Sequence, residues 1–265
     1  MKCAHIVPVG TSLLASFARS PEGSRVVDEY KIAGWDRLAP DDPKQSIICD
    51  RFEELKDLLM EYLNLAGETA SAELSSLIRA IRGLGCDPSE TQVVLYATNT
   101  CNSKLAMRVI AEYLRREGFK VRSEIIKTAR SEDELDEAMM EVVEKVLRET
   151  TKMTQKGHQV CVNATPGFKI ESAYLTIAAL IAGVNCIYYM HEAFKDIVYM
   201  PTPPLQIREE YKQAIQKLEK PTPREEAERI IEKTMIEELK TRRIIEEKEG
   251  KIKAKPWALE ITKLT

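Results

Sequence analysis

Three stretches of the chain repeat one pattern, in which a short apolar run is followed by a polar loop and then by an amphipathic segment of helical length. They read "CAHIVPV" with "GTSLLASFA", "TQVVLYA" with "TNTCNS" and "KLAMRVIAEYLRREG", and "HQVCV" with "NATPGF" and "KIESAYLTIAALIAG". Strands that alternate with helices predict a parallel sheet, and strands that are apolar throughout fit one because parallel strands are buried on both faces. The predicted fold class is therefore α/β, with a mainly parallel sheet and helices on both faces.

Further elements follow the same periodicities. We predict strands at 120–127, 185–190 and 196–200, and helices at about 51–65, 69–83 and 132–149, the last preceded by Ser131 as a possible N-cap. The pattern ends at the proline-rich "PTPPL" of residues 201–205, since proline continues neither a strand nor a helix. We therefore predict one domain at 1–205 and an appendage at 206–265.

The appendage has a different pattern. It predicts helices near 206–219 and from about 224, followed by "RRIIEEKEG" and "KIKAKPWALEIT" as a hairpin that turns at Gly250. Helices followed by a basic hairpin are typical of a winged-helix module. Acids alternate with the bases, however, so a packing or dimerisation role is an equal alternative. We expect packing to bury Ile244, Ile245, Trp257, Leu259 and Ile261.

Composition and charge exclude several classes of protein. The net charge of −3 over 265 residues excludes a polycation that coats nucleic acid. No apolar run approaches the roughly 20 residues that span a bilayer, and the first residues resemble a strand rather than a secretory signal. A cytoplasmic protein without membrane contact is therefore expected. The six cysteines form no CxxC pair and no metal-like spacing: Cys3, Cys49, Cys86, Cys101, Cys161 and Cys186. Four of them lie in or beside apolar runs, where a free cysteine behaves as a small apolar residue.

The three polar loops follow strands, and ligands of an open parallel sheet bind at the carboxyl ends of its strands. The residues of these loops should together form the rim of such a binding site. This rim has hydroxyls, amides, one lysine and no carboxylate. It comprises Gly10, Thr11, Ser12, Thr98, Asn99, Thr100, Asn102, Ser103, Asn163, Thr165, Gly167 and Lys169. The chain has no GxGxxG, no GxxxxGK[ST] and no HExxH motif, which argues against a dinucleotide, an ordinary nucleoside triphosphate and a metal hydrolase. We expect a phosphate-bearing ligand, without a cofactor or a metal.

Lys169 stands where a helix is predicted to begin. Helix N-termini attract anions and disfavour cations, so a lysine there is explained by a phosphate held between it and the backbone amides. A solvated first-turn lysine is an equal alternative. For Ser12, the alternative to a ligand contact is an ordinary helix N-cap.

The same segments resemble a known family. "HIVPVGTSLL", "VVLYATNTCNSKLAMRVIAEYL" and "VCVNATPGFKIESAYLTIAALIAGVNCIYYMHE" resemble the sensor domain of CRISPR-associated Rossmann-like (CARF) proteins, over most of residues 1–200. Those proteins bind cyclic oligoadenylates made by type III CRISPR systems. The chain is most similar to their ring nucleases, stand-alone proteins that cut cyclic tetra-adenylate without a metal. Their last loop often has two glycines, and here Pro166 replaces the first.

The resemblance implies a Rossmann-like sheet, with Ser12 and Lys169 as catalytic residues. It further implies cleavage of cyclic tetra-adenylate to linear di-adenylate with a 2′,3′-cyclic phosphate, which would switch off type III CRISPR signalling. The symmetry of the ring suggests a homodimer with the ligand on its two-fold axis. The expected ligand-binding residues are Gly10, Thr11, Thr98, Asn99, Thr100, Asn102, Asn163, Thr165, Pro166, Gly167 and Phe168.

Two other interpretations stay open. One is a non-catalytic cyclic-oligoadenylate sensor that regulates transcription through a DNA-binding winged-helix tail. The other is a Rossmann-like scaffold that binds no nucleotide. Related effectors carry a ribonuclease domain with an Arg-x4–6-His motif, and no arginine stands at that spacing before His5, His158 or His191.

Overall fold

Six strands form the larger of two sheets. The structure is a computed structural model that describes residues 1–127, 132–165, 169–191, 196–203 and 205–264. The strands are β1 (Cys3–Pro8), β2 (Thr91–Thr98), β3 (Lys120–Ile126), β4 (Gln159–Asn163), β5 (Cys186–Met190) and β6 (Ile197–Met200). Their order is β3-β2-β1-β4-β5-β6, with every neighbouring pair parallel except β5 and β6. The predicted α/β fold with a mainly parallel sheet is confirmed.

Helices cover both faces of this sheet. They are α1 (Ser12–Ala18), α2 (Pro21–Glu29), α3 (Lys44–Asp50), α4 (Phe52–Ala66), α5 (Ala72–Leu84), α6 (Cys101–Arg116), α7 (Glu132–Gln155) and α8 (Lys169–Ile181). Successive side chains of a strand point to opposite faces. In β1, Cys3 and Val7 accordingly join the core under α1 and α3 to α6, whereas Ala4 and Ile6 join the core under α7 and α8. The predicted cap Ser131 lies outside the described residues.

A second, three-stranded sheet belongs to the appendage. Its elements are α9 (Glu209–Lys217), β7 (Thr222–Pro223), α10 (Arg224–Ile230), α11 (Lys233–Thr241), β8 (Ile245–Lys248), β9 (Lys251–Ala254) and α12 (Pro256–Leu264), with strand order β7-β9-β8. The predicted hairpin is confirmed, and Glu249 and Gly250 make its turn with φ of 51° and 71°. This order of helices and strands is winged-helix-like.

Two predictions for the appendage are wrong in detail. The single helix predicted from 224 is two helices, because the chain becomes extended at Ile231 and Glu232 before α11 begins. The end of the predicted hairpin is instead the helix α12, which begins with Pro256. Proline favours the first position of a helix because the N–H that it lacks would have had no intrahelical partner there.

The last helix connects the two sheets. Ile261 of α12 is buried among residues of α7 and α8, and Trp257 contacts both this core and the core of the appendage. Of the five residues predicted to be buried by packing, Ile245 and Ile261 are buried and the other three are half-buried. Ile261 and Trp257 pack against the helices of the larger sheet, whereas Ile244, Ile245 and Leu259 belong to the core of the appendage itself. The boundary at residue 205 stays a prediction. Within the described part of the chain, no helix is both long and apolar enough to cross a bilayer.

None of the six cysteines is a free apolar residue. All six are paired, in the disulfides Cys3–Cys86, Cys49–Cys101 and Cys161–Cys186. The partners are 83, 52 and 25 residues apart in sequence, so the spacing of the cysteines gave no sign of the pairs. Cys161 and Cys186, for example, become register partners only when β4 pairs with β5.

Reduction of these disulfides should lower the thermal unfolding midpoint by several degrees. A cross-link restricts the unfolded chain, which stabilises the folded protein by roughly 3–5 kcal/mol for loops of these lengths. The midpoint is measured by circular dichroism with and without a phosphine reductant, and a Cys161→Ala/Cys186→Ala variant isolates the effect of one pair. Six reactive thiols in the unreduced, denatured protein would contradict this expectation.

Candidate functional site

The carboxyl ends of β2, β1 and β4 lie side by side at one edge of the sheet. β1 pairs in parallel with β2 on one side and with β4 on the other. The strand order reverses between β1 and β4, because the chain passes from the outer strand β3 back to a place beside β1. Loops diverge at such a switch point and leave a crevice in which ligands bind. β1 is followed by Ser12 at the start of α1 and β4 by Lys169 at the start of α8, so both residues begin the helices next to this switch point.

Helix α8 begins at Lys169, so the predicted position of this lysine at a helix start is confirmed. The first turn of a helix offers unpaired N–H groups and a partial positive charge, both of which favour an anion. Pro166, Gly167 and Phe168, which were predicted to bind ligand, lie outside the described residues. Thr165 is fixed by two hydrogen bonds, because its N–H donates to Asn163 Oδ1 at 3.0 Å and its hydroxyl accepts from the N–H of Met190 at 2.8 Å.

Ser12 is the first residue of α1 and contacts the start of α5. Its hydroxyl donates to Glu73 Oε2 and accepts from the N–H of Ala72 at 2.9 Å. Thr11 is the N-cap residue of α1, so the alternative in which Ser12 caps its own helix is wrong. The hydroxyl of Thr11 donates to the carbonyl of Asp36 at 2.6 Å.

Glu73 holds the loop after β1 against α5. Its side chain is buried, with the residue 1% exposed. Oε1 accepts the N–H of Gly10 at 2.9 Å, and Oε2 accepts the hydroxyls of Ser12 and Ser71, the latter at 2.6 Å. Ser71 is also the N-cap of α5, since its hydroxyl accepts the N–H of Leu74 at 3.2 Å. A buried carboxylate needs such partners, and here three donors satisfy it.

The first two turns of α5 also hold the loop after β4. Asn163 is fully buried at the end of β4, and its side-chain amide donates to Ser76 Oγ at 2.8 Å. Ser76 in turn donates to the carbonyl of Ala72 at 2.7 Å. One helix start therefore fixes both loops of the switch point relative to each other. These contacts give Asn163 a structural role, and its contact with a ligand stays a prediction.

Asn102, in the first turn of α6, holds the end of the loop after β2 against the protein core. This residue is buried; its side-chain amide donates to the carbonyl of Trp35 at 3.0 Å, and its Oδ1 accepts from Gln45 Nε2 at 3.2 Å. The disulfide Cys49–Cys101 ties the same helix start to α3. The contacts of Asn102 are structural, and a contact with a ligand stays a prediction here too.

A second lysine, from the first turn of α6, contacts the exposed end of this loop. Lys104 Nζ donates to Asn99 Oδ1 at 3.0 Å. Thr98 donates to Ser103 Oγ at 3.0 Å and lies 3.3 Å from the hydroxyl of Thr100. Asn99 is exposed and Thr98 is half-buried, so both can be reached from solvent.

The rim therefore differs from its prediction in two charged residues, Glu73 and Lys104. The expectation of one lysine and no carboxylate is wrong because both side chains come from helices rather than from the loops. A serine followed two residues later by a glutamate is an ordinary start of a helix. The sequence thus signals where α5 begins, and only the fold shows that this start faces Ser12.

His5, which lies below the rim on β1, is a core residue. It is fully buried, with Nδ1 3.1 Å from the hydroxyl of Tyr188. Burial lowers the pKa of His5 to about 3, so the ring is uncharged at neutral pH. Its position gives it a packing role.

Part of the chain matches a known protein family. Residues 68–203, slightly more than half of the chain, match the model of a family described as CRISPR-associated protein (Cas_APE2256). The match covers β2 to β6, the start of α5 with Glu73, and Lys169, whereas Ser12 precedes it. The chain therefore belongs to the Cas_APE2256 family of CRISPR-associated proteins.

Proposed function

We propose that the protein is a metal-independent ring nuclease that cleaves cyclic tetra-adenylate to linear di-adenylate with a 2′,3′-cyclic phosphate and so switches off type III CRISPR signalling. The observation that carries the proposal is the position of Ser12 and Lys169 at the starts of the two helices that follow the strands on either side of the switch point. Membership of a CRISPR-associated family supports the context. The resemblance of the three loops to those of CARF ring nucleases supports the substrate and the reaction.

The reaction needs few protein groups because the substrate contains its own nucleophile. The 2′-oxygen of one nucleotide attacks the adjacent phosphorus, and the bond from phosphorus to the leaving 5′-oxygen breaks. The protein must hold these two oxygens in line, which can lower the barrier by several kcal/mol. Lys169 and the N–H groups at the start of α8 would stabilise the additional negative charge on phosphorus, with about 3–4 kcal/mol from each well-placed donor.

Ser12 would orient the nucleophile. A hydroxyl has one donor and two acceptor lone pairs. Contacts with Glu73 and Ala72 use the donor and one lone pair of Ser12. The second lone pair can accept a hydrogen bond from the 2′-hydroxyl. Lys104 and Asn99, at the exposed end of the next loop, would bind another phosphate of the ring.

A homodimer fits the symmetry of this substrate. Cyclic tetra-adenylate has four equivalent phosphates, and a two-fold axis through its centre relates opposite ones. Two copies of the chain would place a Ser12 and a Lys169 at each of two opposite phosphates. Cleavage at both positions yields two molecules of linear di-adenylate, which is the proposed product.

The proposal predicts that purified protein converts labelled cyclic tetra-adenylate to linear di-adenylate in the presence of EDTA. The products are separated by chromatography and identified by mass, with a parallel reaction that contains Mg²⁺ in place of EDTA. Equal rates in the two reactions are expected, since neither Ser12 nor Lys169 acts through a metal. Tight binding with an intact ring after long incubation would contradict the proposal.

A second candidate is a cyclic-oligoadenylate sensor that regulates transcription through its tail. The winged-helix-like order of α9, β7, α10, α11 and the β8–β9 hairpin favours it. Ion pairs weigh against it, because acids already neutralise many of the basic groups that would meet DNA: Arg224 with Glu228, Glu237 and Glu247, Lys240 with Glu247, and Arg242 with Glu238. Sub-micromolar, salt-sensitive binding to duplex DNA would support the sensor.

A further inference from the structure

We propose that Glu73 is a positioning residue for this reaction, and that it takes the proton of Ser12 while Ser12 takes the proton of the substrate's 2′-hydroxyl. The inference rests on the proposed function, in which Ser12 orients the attacking 2′-hydroxyl of the substrate. It adds a proton acceptor to a rim whose loops alone contain none.

The hydrogen bonds around Ser12 fix the direction of its proton. Its hydroxyl donates to Glu73 Oε2, so the proton points into the protein. The N–H of Ala72 occupies one lone pair at 2.9 Å. Ser12 is half-buried, and the lone pair that these contacts leave is an acceptor for a substrate hydroxyl. Hydrogen bonds to a carboxylate are stronger than those between neutral groups, which makes this orientation of the serine a firm one.

The step balances as a relay of two protons. As the bond from the 2′-oxygen to phosphorus forms, the 2′-proton passes to Ser12 Oγ and the proton of Ser12 passes to Glu73 Oε2. The bond between phosphorus and the 5′-oxygen breaks, and the leaving 5′-oxygen takes a proton from water. After the products leave, Glu73 returns its proton to water through Ser12. The net change moves one proton from the 2′-oxygen to the 5′-oxygen.

Glu73 carries a carboxylate at a buried position. Burial of a carboxylate is costly unless it is paired. The contacts of its side chain within the described ranges are an amide and two hydroxyls, and the salt bridges found there do not include it. A glutamine has a single acceptor oxygen, so it could keep the bond from Gly10 or the bonds from the two serines but not both, and it could not accept a proton. The carboxylate therefore holds the loop with both oxygens, and the oxygen that accepts the hydroxyl of Ser12 is also placed to take its proton.

The test is a double-mutant cycle of Glu73→Gln and Ser12→Ala, read as single-turnover cleavage rates and as affinity for a 2′-O-methyl ring that cannot be cleaved. Loss of a proton acceptor predicts that Glu73→Gln is slower by about 100-fold. Affinity should change by less than about threefold, since Glu73 does not contact the ring. In the Ser12→Ala background, Glu73→Gln should have almost no further effect, because residues that act as a unit are not additive.

Ser20→Ala is the matched control, since it removes a serine that caps the helix α2 but contacts neither Glu73 nor Ser12. Its cleavage rate should stay close to that of the wild type. If thermal unfolding shows that Glu73→Gln does not fold, Glu73→Asp enters the same cycle, with a carboxylate drawn back by one methylene group. An unchanged rate in the variant that folds, or an equal slowing with and without Ser12, overturns the role of Glu73 while the proposed function stands. A wild-type protein that does not cleave the ring overturns both.

Discussion

Lys169→Ala is expected to slow the cleavage of cyclic tetra-adenylate by about 100-fold to 1,000-fold, the usual effect of removing one donor that stabilises developing charge. Lys169 is the first residue of α8, where a lysine is unfavourable unless an anion is bound nearby. The variant should therefore fold as well as the wild type or slightly better. The measurement is the single-turnover rate in EDTA, together with the thermal unfolding midpoint.

Lys233→Ala is the matched control for this experiment. Lys233 is also the first residue of a helix, α11, but it belongs to the appendage and is exposed. Its removal should leave the cleavage rate unchanged. Lys169→Arg keeps the charge and should retain part of the activity. A wild-type rate for Lys169→Ala would show that the proposed stabilisation of charge is wrong.

A chain that ends at residue 205 is expected to unfold at a much lower temperature than the full chain and to aggregate. Truncation removes Ile261 and Trp257 from the core under α7 and α8. It also removes one wall of a partly open pocket of about 250 Å³, because Arg242, Trp257 and other residues of the appendage line this pocket together with Tyr174 and Ile177. Exposed apolar surface of this kind promotes association.

A point variant separates loss of packing from loss of the tail as a whole. Ile261→Ala should lower the free energy of unfolding by about 2–4 kcal/mol, the usual cost of a large-to-small change in a core. Ile230→Ala is the control, since Ile230 is 41% exposed and should contribute little. Denaturant titrations give both values. A monodisperse truncated chain with an unchanged midpoint would show that the appendage is an independent module.

Much of the fold could be predicted from the sequence because local patterns determine its elements. The β2 segment is apolar from Val93 to Ala97, and the structure buries these residues on both faces of the sheet. The split between α10 and α11 and the helix α12 were missed, since helices of seven to nine residues have a weak periodic signal. The antiparallel direction of β6 could not be predicted either, because four apolar residues look the same in both directions.

The candidate site could be predicted only in part. Ser12 and Lys169 follow strands, and the strand ends show where such loops converge. Glu73 and the three disulfides depend on contacts between residues that are far apart in the chain, so no local pattern shows them. Hydrogen bonds to residues far away in the chain also hold Asn102 and Asn163 in buried positions, although both were predicted from their loops to line the rim.

The central claim is that this rim cleaves cyclic tetra-adenylate through the ring's own 2′-hydroxyl, and the chemical identity of the product ends tests it most directly. The ring is cleaved in EDTA and in water enriched in heavy oxygen, and the first product is analysed by mass spectrometry. The account predicts di-adenylate with a 5′-hydroxyl and a 2′,3′-cyclic phosphate that contains no oxygen from water, and no reaction of a 2′-O-methyl ring. A product with heavy oxygen on phosphorus from the outset, or a wild-type protein that leaves the ring intact, would contradict it.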